Sequence, residues 1–326
     1  MGKFKVVQTD NAFGNTVIEE KCYKDAGYDY VVIESGDLDE IKAAVRDADA
    51  VTCSYTEINS DLMDAFGKCK VIVRAGIGVN NVDIEEATKR GIMVANVLHY
   101  CKDEVSDHAI ALALCMIRKV CFMDRRVRNG AWEGAAPARP IPRINSLWFC
   151  TYGFGNIARK LAPKIKAIGF NVAAYDPYVD DSVFEEYGVE RIKDESEVLK
   201  RADILSMMCC LDNSTKGIIN KDKLKLMKES AILINTARGG LINEPDLIEA
   251  LQNGVIGGAG LDVVADEHPD MNSPLFKMEN VCFTPHIAYY STASDVDLRN
   301  GVCRQVIGAL EQGEPEFFVN KKEMGR

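Results

Sequence analysis

The stretch "SLWFCTYGFGNIARKLAPKIKAIG" (Ser146–Gly169) decides how the rest of the chain is read. Leu147 to Tyr152 form an apolar, aromatic-rich run of strand length. Beyond it, Ile157, Leu161, Ile165 and Ile168 recur at helical spacing. Between strand and helix lies Gly153-x-Gly155-x-x-Ala158. Glycine there permits a tight turn and close approach of another molecule to the backbone, and a small third residue lets helix and strand pack. The helix N-terminus then presents amides and a positive dipole end to a pyrophosphate. Two glycines alone would fit any strand-to-helix turn. The sharper signal is Asp176, eighteen residues after Ala158 at the end of the next strand-like run, "NVAAYD". A carboxylate there accepts hydrogen bonds from a ribose diol and repels a 2'-phosphate, which points to NAD rather than NADP. Gly153, Phe154, Gly155, Asn156, Ile157 and Asp176 are therefore the first cofactor-binding candidates.

The same grammar extends in both directions. "KFKVVQTD", "YDYVVIES", "ADAVTCS", "KVIVRAG" and "IMVANV" read as strands separated by amphipathic segments in the first hundred residues. "ADILSMMC", "AILINT", "GAGLDVV" and "NVCFTPH" continue the series after the glycine loop. Regular alternation of strand and helix implies parallel sheets with helices on both faces. "DEVSDHAIALALCMIRKVCFMDRRVRNG" (Asp103–Gly130) reads as one long helix connecting two domains, and a last helix is expected over about Ser291–Gln312.

Ligands of open parallel sheets bind at the carboxyl ends of the strands. Three successive strands deliver an ionisable residue to that edge: Arg238 after "AILINTA", Glu267 after "GAGLDVVAD" and His286 after "NVCFTP". An unpaired guanidinium at the end of a buried strand is costly, so Arg238 needs either an acid partner or an anionic ligand. Taken singly, Arg238 could be a salt-bridged strand end, Glu267 a solvated loop acid and His286 a cap. Taken together they form a catalytic set. Arg clamps a carboxylate, His exchanges a proton with a carbonyl oxygen as hydride moves, and Glu orients the imidazole. His108, on an apolar helical face, reads as structural.

Composition narrows the classes. A chain of 326 residues suits two domains, and a net charge of -10 argues against nucleic acid or an anionic membrane as partner. The longest apolar helical run falls far short of a membrane span. The eleven cysteines show no C-x-x-C spacing and no metal pattern, as expected of reduced thiols in a cytoplasmic protein without an export signal.

"NTARGGLINEPDLIEAL", "GAGLDV" and "FTPHIAYYS" resemble signatures of the D-isomer-specific 2-hydroxyacid dehydrogenase family, and the resemblance runs over essentially the whole chain. "RAGIGVNNVDIEEATKRGIMVANV" and "PIPRI" are most similar to the branch that includes C-terminal-binding proteins. The resemblance implies an α/β protein of two doubly wound parallel-sheet domains, Rossmann-like and flavodoxin-like, with a cleft between them. Residues 1–100 and 290–326 would make a discontinuous substrate domain, and 101–289 the NAD-binding domain. It also implies cofactor contacts from Val105, Cys209, Cys210, Thr215, Thr236, Ala237 and Asp262. Substrate contacts would come from Tyr55, the Gly76–Gly78 backbone including Ile77 and Gly78, and Tyr289, with a homodimer as the assembly. Departures from the family pattern are His268, inserted between Glu267 and Pro269, Tyr289 where the branch has tryptophan, and Cys150 where glycine is common. The function expected is NAD-dependent reduction of a small 2-keto acid. The alternatives are an NAD(H)-sensing interaction protein, which the short tail after the last helix disfavours, and 3-phosphoglycerate dehydrogenase, whose arginine is missing from Cys53-Ser54-Tyr55.

Overall fold

The computed structural model describes residues 2–326. The chain divides into two compact units, one running up to Tyr100 and resuming at Ser291–Arg326, the other spanning Cys101–Tyr290.

The first unit is built on five parallel strands, β1 (Lys5–Gln8), β2 (Asp29–Val32), β3 (Ala50–Cys53), β4 (Val71–Arg74) and β5 (Met93–Ala95), in the order β2-β1-β3-β4-β5. This is the flavodoxin-like order. Neighbouring residues of one strand serve opposite faces, as the two-residue strand period demands. Val6, Val71 and Val73 pack with Leu298, Val302 and Val306 of the helix Thr292–Ile307. Val7, Val51 and Ile72 pack with Ile41, Val45 and Leu62 on the other side. Arg299 of the same returning helix makes a bidentate pair with Glu19 (2.8 and 2.6 Å) on the helix Val17–Asp25. Both side chains are almost fully buried, at 3% and 2% exposure. The chain's last segment belongs to this unit as well. Val319 N donates to Val94 O, while the buried Asn320 side chain accepts from Val94 N and donates to Ile92 O, so the segment closes the open edge of β5.

The second unit holds β6 (Trp148–Tyr152), β7 (Asn171–Tyr175), β8 (Glu190–Arg191), β9 (Ile204–Met207), β10 (Ile232–Asn235), β11 (Gly258–Leu261) and β12 (Val281–Phe283), all parallel, in the order β12-β11-β10-β9-β6-β7-β8. Counted from β6, this is the Rossmann order 3-2-1-4-5-6 with one strand added, and the direction of winding reverses between β6 and β9. The two-residue β8 escaped the sequence reading because it is too short to carry a hydrophobic period.

The single long helix expected over 103–130 is two helices, Lys102–Ile117 and Val120–Arg128. Lys119 adopts a left-handed φ of 58° and breaks the run. The first of the two lies on the sheet, with Ala109, Leu112 and Met116 in the same core cluster as Ile232, Ile234 and Cys282. The glycines of β11 make room for it. A Cβ on Gly258 would lie 2.7 Å from Met116 Cε, and one on Gly260 would lie 3.1 Å from Leu112 Cβ.

The buried Arg299–Glu19 pair yields a stability test. Removing one member strands the other as a buried charge, which costs about 3–5 kcal/mol, whereas replacing both by apolar residues is often neutral. Arg299→Met should lower the unfolding free energy of the first unit, read by urea titration, by that order, and Arg299→Met with Glu19→Leu should recover most of the loss.

Candidate active site

The glycine loop sits at the reversal point of the second sheet. Gly153 has φ 102°, and a Cβ there would meet Cys209 N at 2.7 Å. Glycine is thus required for the turn and for contact with the loop after β9. At Gly155 a Cβ would meet nothing within 4 Å. Gly155 is the N-cap of the 13-residue helix Asn156–Ile168, which has neither a side-chain cap nor an acid in its first turn. Elsewhere in the chain Asp37, Asn59, Asp83, Asp194, Asn220, Asn243 and Ser291 supply such caps. An open, uncapped N-terminus beside a glycine suits a pyrophosphate. Asp176 closes the loop from β7: its Oδ2 accepts from Phe154 N (2.8 Å) and its Oδ1 from Tyr178 N (2.9 Å). Phe154 itself is fully buried and stacks on Phe184 at 4.6 Å, so only its backbone borders the loop. Asn156 is exposed and Ile157 half-buried at the helix start.

Of the remaining cofactor candidates, Cys209 is half-buried and Cys210 exposed after β9. Burial pushes the Cys209 thiol up to about 12. Thr215 accepts from Asp212 N and donates to Cys210 O, which shapes that loop. Thr236, just past β10, is buried, and its hydroxyl has no hydrogen-bond partner. A buried orphan hydroxyl beside the glycine strand's neighbours is what a bound dinucleotide would satisfy. Val105 is buried on the helix Lys102–Ile117, and Ala237 is half-buried beside Thr236.

The edge that bears His286 is organised by Asp262, which directly follows β11 and is 2% exposed. Its Oδ1 accepts from the Thr284 hydroxyl (2.6 Å) and Ile287 N (3.0 Å), and its Oδ2 from Ala288 N (2.9 Å). Its carbonyl accepts from His286 N at 2.7 Å. Together these bonds fold the 284–288 loop over one carboxylate and hold His286 at φ 53°, a conformation rare for a residue with a side chain. The Thr284 hydroxyl donates its hydrogen bond to Asp262, so its oxygen accepts from His108 Nε2 at 2.8 Å. His108 is thus part of the scaffold beneath the loop. His286 Nδ1 lies 2.9 Å from Glu267 Oε2. The inserted His268 is accommodated in an exposed turn whose amide bonds Asp266 Oδ1.

Arg238 is half-buried at the end of β10, with Nη1 donating to Ala237 O and its carbonyl accepting from Asn235 Nδ2. The glycine after it has a packing cause. A Cβ on Gly239 would lie 1.7 Å from Val264 O, so glycine alone lets the β11 extension pass on its way to Glu267. Tyr289 is half-buried, and its ring meets that of His286 edge-on at 6.3 Å.

In the first unit, the Asp10 carboxylate at the end of β1 accepts from the amides of Ser54, Tyr55 and Thr56, which presents Tyr55 at 55% exposure. The Gly76 and Ile77 carbonyls are taken by Val97 N and Asn96 Nδ2, which fixes the segment running to Gly78. A residue the sequence reading passed over is Arg74, at the end of β4. Its Nε is buried without a partner, and its Nη1 occupies the space of a Gly76 Cβ. The signal was present: "VRAG" repeats the arginine-then-glycine pattern that singled out Arg238. Among the described residues, no group of three or more His, Cys, Asp or Glu is placed to hold a metal, and no helix is long and apolar enough to cross a membrane.

A Rossmann sheet with an open glycine loop, a closing acid and a His–Glu pair at its carboxyl edge is the architecture of a dinucleotide site. Residues 110–288 match the model of the NAD-binding domain of the D-isomer specific 2-hydroxyacid dehydrogenases, and the chain belongs to that family. It is 37% identical over 252 residues to a D-3-phosphoglycerate dehydrogenase of Methanocaldococcus jannaschii, covering 76% of this chain and 47% of that one. The chain thus spans about half the length of that relative. It is 36% identical over 289 residues to a glyoxylate reductase of Thermococcus litoralis, covering 85% of each. Among solved structures, the NADPH-dependent glyoxylate/hydroxypyruvate reductase of Sinorhizobium meliloti in complex with citrate superposes with a TM-score of 0.85 at 27% identity, over 97% of this chain and 98% of that one.

The two loop glycines should separate on substitution. Gly153→Ala forces a left-handed alanine against Cys209 N and should cost about 1–3 kcal/mol of stability. Gly155→Ala should leave the melting temperature unchanged yet weaken NADH binding, read by fluorescence titration, by at least about tenfold, or ~1.4 kcal/mol.

Proposed function

We propose that the chain is an NAD-dependent D-2-hydroxyacid dehydrogenase working mainly as a reductase of a small 2-keto acid, as a homodimer. The observation that carries this reading is the 2.9 Å contact between His286 Nδ1 and Glu267 Oε2 on the sheet edge that also bears Arg238. With Nδ1 engaged by the carboxylate, Nε2 is the nitrogen that passes a proton to the substrate's carbonyl oxygen. Arg238 offers a planar fork to the substrate's carboxylate and carbonyl. Bound NADH supplies the hydride. In the first unit, Arg74, Tyr55 and the Gly76–Gly78 backbone are further candidates for substrate contact, as Tyr289 is in the second. Asp176 makes NADH the preferred cofactor, unlike the NADPH-dependent Sinorhizobium meliloti enzyme.

One observation favours a second reading, oxidation of 3-phosphoglycerate. Arg74 pairs in register with Cys53, in the place where that activity needs a cation. Against it, Cys53 and Ser54 are buried and uncharged. A panel of glyoxylate, hydroxypyruvate, phenylpyruvate and phosphohydroxypyruvate with NADH decides. The first reading expects the unphosphorylated acids to show the higher kcat/KM, and a tenfold preference for the phosphorylated acid would replace it with the second. An absence of turnover with every acid, despite NADH binding, would point to a binding protein.

Two further outcomes are expected. NADH should exceed NADPH in kcat/KM by at least about tenfold, ~1.4 kcal/mol; equal efficiencies would remove Asp176 from cofactor choice. Arg238→Lys, which keeps the charge and loses the fork, should lose most turnover while NADH still binds. A near-native rate would make Arg238 structural.

A further inference from the structure

Three thiols of the second unit converge away from the catalytic edge. Cys115 lies near the end of the helix Lys102–Ile117, Cys121 in the first turn of Val120–Arg128, and Cys282 in β12. The left-handed Lys119 turns the second helix so that Cys121 meets Cys282. Its Sγ is 3.5 Å from Cys282 Sγ, and Cys115 lines the same cavity. A cavity of about 310 Å³ opens on this cluster, lined by Cys115, Cys121, Lys119, Arg125 and Arg139 among others. Arg125 is anchored there by a bond from Nη2 to Glu279 O.

We propose that Cys121 and Cys282 are an oxidisable dithiol, entered through this cavity at Cys121 by a hydroperoxide and closed to a disulfide that ties β12 to the helix Val120–Arg128. Partly exposed Cys121 is the sulfur the cavity reaches, and a cysteine attacks in its deprotonated form. Its neighbours keep their protons: burial first, then contact with Cys121, pushes the Cys282 thiol up to about 12, and burial raises Cys115. The Cys121 thiolate attacks a peroxide oxygen, the O–O bond breaks, and a sulfenic acid and hydroxide (or alkoxide) form. Cys282 sulfur then attacks Cys121 sulfur, the S–O bond breaks, and the departing hydroxide takes the Cys282 proton as water. Two electrons pass from the thiols to the peroxide. The sulfurs must approach by about 1.5 Å to reach bonding distance, a movement within the scale of side-chain rotation.

The test treats the whole protein with limiting hydrogen peroxide, blocks remaining thiols in denaturant, and maps peptides by mass spectrometry without reduction. The expected product joins the Cys121 and Cys282 peptides, is lighter by two hydrogens and separates with dithiothreitol. In Cys115→Ala/Cys282→Ala, oxidation should stop at a sulfenic acid on Cys121 that dimedone traps. In Cys121→Ser, Cys282 should remain a free thiol. A first-formed link between other cysteines, such as Cys22 and Cys303, or a Cys282 that oxidises without Cys121, would overturn the proposal. The readout needs no substrate, so it stands apart from the outcome of the keto-acid panel.

Discussion

The loop that carries His286 depends on one buried carboxylate. Asp262 gathers the Thr284 hydroxyl and the Ile287 and Ala288 amides on its two oxygens. Hydrogen bonds to a charged group contribute about 1.5–3 kcal/mol each. A side chain held in the left-handed region costs about 1–3 kcal/mol. Three such bonds therefore outweigh the strain of His286 at φ 53°, and the loop has one favoured shape rather than several. The same acid receives, through Thr284, the support of His108 on the helix beneath. The His286 imidazole is thus positioned by a carboxylate that bonds the loop's backbone and Thr284.

The glycines show how close approach is distributed through the second unit. At Gly258 and Gly260 the missing Cβ admits a helix onto the sheet; at Gly239 it admits the backbone of Val264. At Gly155 nothing in the protein takes the space. That difference separates a packing glycine from a ligand glycine, and no sequence pattern contains it, because the residue type is the same in each case.

The strand ends were legible in the sequence because buried parallel strands are short apolar runs, and the residues just past them share one edge by topology. Arg238, Glu267 and His286 could be grouped on that argument, with Glu267 orienting the imidazole, before any geometry was known; only the distance between His286 and Glu267 could not. Arg74 was passed over, although the same reasoning applied, because "VRAG" was read only as a backbone segment. The break at Lys119 was hidden: a left-handed lysine leaves no mark in composition, and the apolar period continues across it. The two-residue β8 and the tail that closes β5 through Asn320 are also invisible to periodicity, since one is too short and the other acts through a single side-chain amide.

Asp176 carries two constraints at once. On the proposed reading its charge selects the ribose, and its oxygens hold the amides of Phe154 and Tyr178 in place. A neutral residue there would relieve repulsion of a 2'-phosphate but would also withdraw the acceptor that shapes the glycine turn. Cofactor choice, on that reading, is not a detachable feature of one side chain. To accept a phosphate, the loop must find another acceptor for Phe154 N, and the fully buried Phe154 ring, stacked on Phe184, leaves its backbone little freedom to seek one.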